Sequence, residues 1–208
     1  MRARYPNAIV LLVEDVVEKT STDEALEWMA TRAAQLKSEG LADRINSYEN
    51  DRGDGTRGRP RFLSVFEAQQ PTPLLTSLNR PHDHRSIRRL GSGAYETLSG
   101  LPKAEIAGPA AGILVGLTEC LDPKRTAEFN EWYDGIHAAD VFRSPWYWSA
   151  QRFQKQQGDL PSYAALYESI ETEPEAFKQF MKWPDKDPSM HALVANIHIW
   201  TFNQIAEW

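Results

Sequence analysis

The chain alternates short β-type apolar runs with stretches of helical period, and it does so twice. A β-rich run at Ile9–Val17 opens the first series, and an amphipathic helix follows with Ser21 or Thr22 as its N-cap. Two strands come next, Arg44–Asn50 and Phe62–Glu67, and a closing strand falls at Ala94–Ser99. The second series opens with a β run at Ile113–Leu121, followed by a helix whose buried stripe is Phe129, Trp132, Tyr133 and Ile136 at i, i+3, i+4 and i+7. Strands are predicted at Trp148–Gln154 and Tyr163–Ile170. A shorter helix from Pro174 to Trp183 carries Phe177, Phe180 and Met181 at i, i+3 and i+4, and Asn196–Asn203 closes the series.

The two series can be laid on each other. At an offset of 104, Ile9, Thr22, Glu24, Glu27, Trp28 and Ala34 fall on identical residues at Ile113, Thr126, Glu128, Glu131, Trp132 and Ala138. At an offset of 101, Arg59–Glu67 lies over Leu160–Glu168, and Pro60, Glu67 and Pro73 match Pro161, Glu168 and Pro174. The offset changes across the Gly-rich polar stretch Asp51–Gly58, a surface loop where a length change costs little. Each series reads βαββαβ, the ferredoxin-like unit, whose sheet carries helices on one face and leaves the other to be covered. The expected fold is therefore α+β: two tandem ferredoxin-like repeats, residues 1–104 and 105–208, packed sheet to sheet as an intramolecular α+β barrel.

Composition narrows the function. Lys and Arg number 23 against 29 Asp and Glu, a net charge of -6, which is the wrong sign for a phosphate-backbone binder, so no nucleic-acid partner is expected. The longest apolar run, Ala8–Val13, is too short to span a membrane, so a cytoplasmic protein with no membrane partner is expected. Cys120 is the only cysteine, which rules out an internal disulfide and a Cys-rich zinc site. His82 and His84 share a strand-type ligand spacing but stand among arginines, so a solvated loop or basic rim is favoured over a metal site. Of the 22 aromatic residues, 16 lie beyond Ala104. The second repeat is therefore where a pocket is sought.

There the stretch Glu128–Phe153 is the most informative. Phe129, Trp132, Tyr133 and His137 form F-x-x-W-Y-x-x-x-H, followed by a turn at Pro145 and a strand ending in Arg152 and Phe153, with P-S-Y-A-A-L-Y-E beyond. This pattern resembles the dimeric α+β barrel superfamily and, within it, the EthD-like (ethyl tert-butyl ether degradation protein-like) group. The resemblance implies a barrel scaffold shared by cofactor-free oxygenases, isomerases, cyclases, lyases and haem proteins, so fold alone does not choose the chemistry. Two departures stand out. Trp146 follows Pro145 where the group usually has Gly, and in the first repeat Ala33 and Met29 stand where His137 and Tyr133 would, so a single asymmetric site is expected.

Among these residues, His137 is the one group near the motif whose ordinary pKa suits proton transfer at neutral pH. It reads either as an acid or base beside Tyr133, with Asp140 orienting it, or as a packed histidine. Arg152 reads as a substrate-carboxylate partner or as half of a salt bridge to Glu168 or another carboxylate. His198, Trp200 and Phe202 share one face of the last strand, making His198 a second candidate acid or base. Trp132, Trp146, Trp148 and Trp200 are candidate pocket walls. The expected function is cofactor-free, His-assisted proton transfer (isomerase, dehydratase, cyclase or lyase) on an apolar, aromatic or polyketide-like carbonyl compound, with oxygenation also open. The rivals are a haem protein using His137 or His198 as axial ligand and a non-catalytic carrier of an apolar ligand. The partner expected is a small-molecule substrate, and a homodimer is open.

Overall fold

A computed structural model describes residues 7–16, 22–50, 59–80, 87–102, 110–184 and 192–208. The fold is α+β, and its strands hydrogen-bond in the order β1-β3-β2-β8-β5-β7-β6-β4 as a closed antiparallel barrel. Two compact units are present. Unit 1 comprises the chain up to Glu96 with Lys155–Leu160 and Gln204–Trp208, and unit 2 comprises Thr97–Gln154 and Pro161–Asn203.

In unit 1, β1 (Ala8–Val16) is central, flanked by β3 (Phe62–Glu67) and β4 (Ile87–Pro102), with β2 (Arg44–Glu49) beyond β3. Every residue from Ala8 to Asp15 is buried, as a strand covered on both faces requires. Helix α1 (Thr22–Ser38) starts with Asp23 and Glu24 and ends with Lys37, charges that suit the helix dipole. Ala25, Met29, Ala33 and Leu36 form its buried stripe. It stops in a Schellman turn: Gly40, at φ 68°, donates its N–H to the Lys37 carbonyl, and Leu41 donates to Leu36. The Glu14 carboxylate, only 1% exposed, is gripped by both Arg32 terminal nitrogens at 2.7 Å, which satisfies a charge that burial would otherwise penalise heavily. A helix that periodicity does not single out, α2 (Pro71–Leu78), buries Leu74, Leu75 and Leu78. Its sequence signal was the proline in its first turn.

In unit 2, β5 (Gly112–Cys120) lies between β7 (Tyr163–Ser169) and β8 (Val194–Glu207), and β6 (Tyr147–Gly158) pairs with β7. Both units thus repeat one strand order, β4-β1-β3-β2 and β8-β5-β7-β6. Strand β4 starts seven residues before the expected Ala94, and Ser21, His82 and His84 lie outside the described residues. Helix α5 (Glu175–Lys182) buries Ala176 and Phe180, whereas Met181, expected in its stripe, is exposed. Among the described residues no helix is long and apolar enough to cross a membrane.

Gly158 adopts φ 113°, and a Cβ there would strike the Ser92 carbonyl and come within 2.7 Å of Gly93 Cα. Gly158→Ala is expected to cost about 2–4 kcal/mol in a denaturant titration, from the left-handed backbone and the overlap together.

Candidate functional site

The helix carrying the motif is broken into pieces: a single 3-10 turn (Pro123–Arg125), α3 (Thr126–Trp132), a π-turn (Tyr133–His137) and α4 (Ala138–Arg143). The π-turn is marked by the Ala138 N–H reaching back to the Tyr133 carbonyl, five residues away. One extra residue per turn shifts everything after it. Ile136, expected in the buried stripe, is 43% exposed, and burial resumes at Ala138 and Val141. His137 takes the place that Ile136 would have held. Its ring stacks on Trp132 with centroids 5.3 Å apart and meets Tyr133 edge-on at 4.9 Å.

The same shift corrects the comparison of the two series. The buried residues of α1 (Ala25, Met29, Ala33, Leu36) match Phe129, Tyr133, Ala138 and Val141 in unit 2, so Ala33 answers to Ala138. The residue of unit 1 in His137's place is Arg32, whose guanidinium lies 4.0 Å from the Trp28 ring. The first series thus sets a charged residue against its tryptophan.

Tyr133, which the His137 ring meets, belongs to a buried aromatic cluster with Phe129, Tyr147, Tyr163 and Tyr167. The Tyr133 hydroxyl faces that of Tyr167 and approaches Gly116, where an added Cβ would stand 3.4 Å from it. Burial raises the pKa of both tyrosines, so each is a neutral proton donor at physiological pH. Arg152, 2% exposed, sits with its guanidinium 4.0 Å from the Tyr133 ring centroid. It donates to Asp134 at 2.8 Å and to Asn130 at 2.9 Å. Its carboxylate partner is thus Asp134; Glu168 instead accepts from Ser149 at 2.7 Å and projects, by strand alternation, from the other face of the sheet. Asp140 is buried, with Arg143 at 2.7 Å. Trp146 is half-buried and meets Trp183 edge-on at 6.4 Å. Trp148 is buried at a register shift between Tyr147 and Ser149.

His198 and Trp200 are not brought to this side. They stack on each other at 5.6 Å and pair with Leu117 and Val115, whereas Tyr133 lies over the face carrying Gly116 and Ala165. Among the described residues no cluster of three or more His, Cys, Asp or Glu could hold a metal.

Glu173 was not singled out by sequence. It is 1% exposed, faces Tyr147 and Ser169, and accepts the Phe177 N–H at 3.3 Å. Burial pushes its pKa up to about 7 against these hydrogen bonds, and Tyr147 beside it is raised as well. The acidic run around Pro174 gave no hint that one of its carboxyls turns inward.

No family model matches the sequence, and no curated protein does. Solved structures do. A mutant chlorite dismutase of Candidatus Nitrospira defluvii, in complex with cyanide, superposes with a TM-score of 0.63 at 8% identity, covering 98% of this chain and 92% of that one. An anthrone oxidase-like protein gives 0.61 at 10% identity (98% and 93%), and a candidate monooxygenase of Fusobacterium nucleatum subsp. nucleatum gives 0.58 at 10% (98% and 94%). These neighbours belong to the dimeric α+β barrel superfamily, and at such identities the likeness is one of fold.

Glu173 yields a pH signature. Between its ordinary pKa of 4.5 and its folded value of about 7, the folded chain holds more proton than the unfolded one, so stability falls as pH rises through that window. Glu173→Gln is expected to remove this loss, raising stability by up to about 3 kcal/mol near pH 8 while changing little near pH 4. Thermal melts of the two proteins across pH check it.

Proposed function

We propose that unit 2 is a small-molecule catalytic centre in which His137 moves a proton to or from an apolar carbonyl compound, with Tyr133 as a neutral hydrogen-bond donor to the developing oxyanion. The observation that carries this reading is the π-turn, which presents the half-buried imidazole against Trp132 and edge-on to Tyr133, a buried tyrosine held protonated beside Tyr167. In the forward step His137 takes the proton of an acidic C–H, and the electron pair moves onto the carbonyl oxygen to give an enolate. Returning the proton at another carbon completes an isomerisation. The aromatic cluster excludes water and so strengthens each polar contact inside it. Tyr167 extends the donor set behind Tyr133, and Arg152 is a positioning residue that holds Tyr133 and Asp134.

The same reading takes the chain as an EthD-like protein built from tandem βαββαβ repeats, residues 1–104 and 105–208. It also makes the protein cytoplasmic and able to pair into a homodimer. Its support is the strand order common to both units and the matching stripes of their first helices.

The donor set does not fit haem between the helices and the sheet. The rings of the cluster pack against one another at centroid separations such as 4.9 Å for Phe129–Tyr163 and 6.2 Å for Tyr147–Tyr167, and Arg152, the buried cation there, is held by Asp134 and Asn130.

Anthrone, a carbonyl compound with an acidic C–H, is a suitable probe because a structural neighbour is anthrone oxidase-like. Deuterium incorporation into anthrone and related ketones with an acidic C–H is expected to fall about 10²–10⁴-fold in His137→Ala, and less in Tyr133→Phe, with unchanged circular dichroism. Full rates in a folded His137→Ala protein overturn the reading. A stoichiometric Soret band on haem addition overturns the exclusion of haem.

A further inference from the structure

We propose that unit 1 holds a second small-molecule site, for a small organic anion with an apolar body, in the cleft between α1 and α2. The cleft encloses about 290 Å³, near the lower end of the ~300–1,000 Å³ range of small-ligand pockets. Trp28, Leu36 and Leu78 give it apolar walls, while Arg32, Gln35 and Arg80 bring polar groups to it. Its described lining holds two guanidinium groups and no carboxylate. Glu14, buried behind it on β1, offsets the charge of Arg32, so the charge left to meet an anion at the cleft is that of the exposed Arg80.

Arg32 is also well fixed. Glu14 grips both terminal nitrogens, and the guanidinium lies 4.0 Å from the Trp28 ring, so its plane is set before any ligand arrives and little side-chain freedom is lost on binding. This is the position that His137 occupies in unit 2. A cation that cannot release its proton binds rather than catalyses, so the two units divide the work: proton transfer beside Tyr133 in unit 2, anion recognition in unit 1. The site stands on the cleft and its charge, independently of what His137 does.

The test titrates 2-naphthoate, and 2-naphthol as its neutral counterpart, into isotope-labelled full-length protein while following the Trp28 indole N–H, identified by its loss in Trp28→Phe. A saturable shift with 2-naphthoate is expected, about tenfold weaker binding with 2-naphthol, and a similar weakening in Arg80→Glu, which leaves the Arg32–Glu14 pair intact. His137→Ala should leave the shift unchanged, so failure of the catalytic reading shows as lost turnover chemistry with the Trp28 response retained. An unmoved Trp28 signal, equal binding of 2-naphthol, indifference to Arg80→Glu, or loss of the shift in His137→Ala overturns the proposal.

Discussion

A buried guanidinium holds the candidate site of unit 2 together. Arg152 leaves water almost completely, and its charge is accommodated by Asp134 and Asn130 on one side and by the faces of Tyr133, Phe129 and Tyr163 on the other. Asp134 and Tyr133 both belong to the π-turn. Asp134 stands just after α3, and its carboxylate meets Arg152 at 2.8 Å. The turn it opens carries His137 to the Trp132 ring. Ser99 adds to the anchor by donating to Asp134 at 2.6 Å.

Unit 1 solves a related problem in a different way. There the buried charge sits on the sheet, at Glu14, and the helix supplies the cation from Arg32 without leaving α-helical register. The two helices thus show opposite placements of donor and acceptor between helix and strand.

The strands were legible in the sequence because burial on one or both faces leaves a local record. The run Phe62–Glu67 was placed at its bounds, and β5 and β7 within a residue. Strand β8 runs four residues beyond the expected Asn203 through a stretch of mixed polarity. The π-turn was illegible for a specific reason: Ile136 falls where a regular helix would bury an apolar residue, so the apolar pattern is satisfied by the wrong structure. Nothing in the local periodicity marks the extra residue. Glu173 was missed in the same way, since its inward turn depends on Tyr147 and Ser169 rather than on its neighbours in sequence. His137, Tyr133 and Trp132 were found together because their spacing brings them to one side of a helix with or without the extra residue. His198 and Trp200 were grouped correctly with each other but belong to the other face of the sheet.

The chemistry follows from which groups on the helix-facing side can change charge. Tyr133 and Tyr167 are held protonated by burial, so they can donate but cannot act as bases near neutrality. Arg152 is fixed as a cation and committed to its partners. That leaves the half-buried His137 imidazole, whose ordinary pKa suits the proposed proton transfer, and the Glu173 carboxyl, whose pKa burial pushes up to about 7 beside Tyr147 and Ser169. The cleft of unit 1 differs in its polar groups: its described lining carries Arg80 and the Glu14-paired Arg32 and no acid.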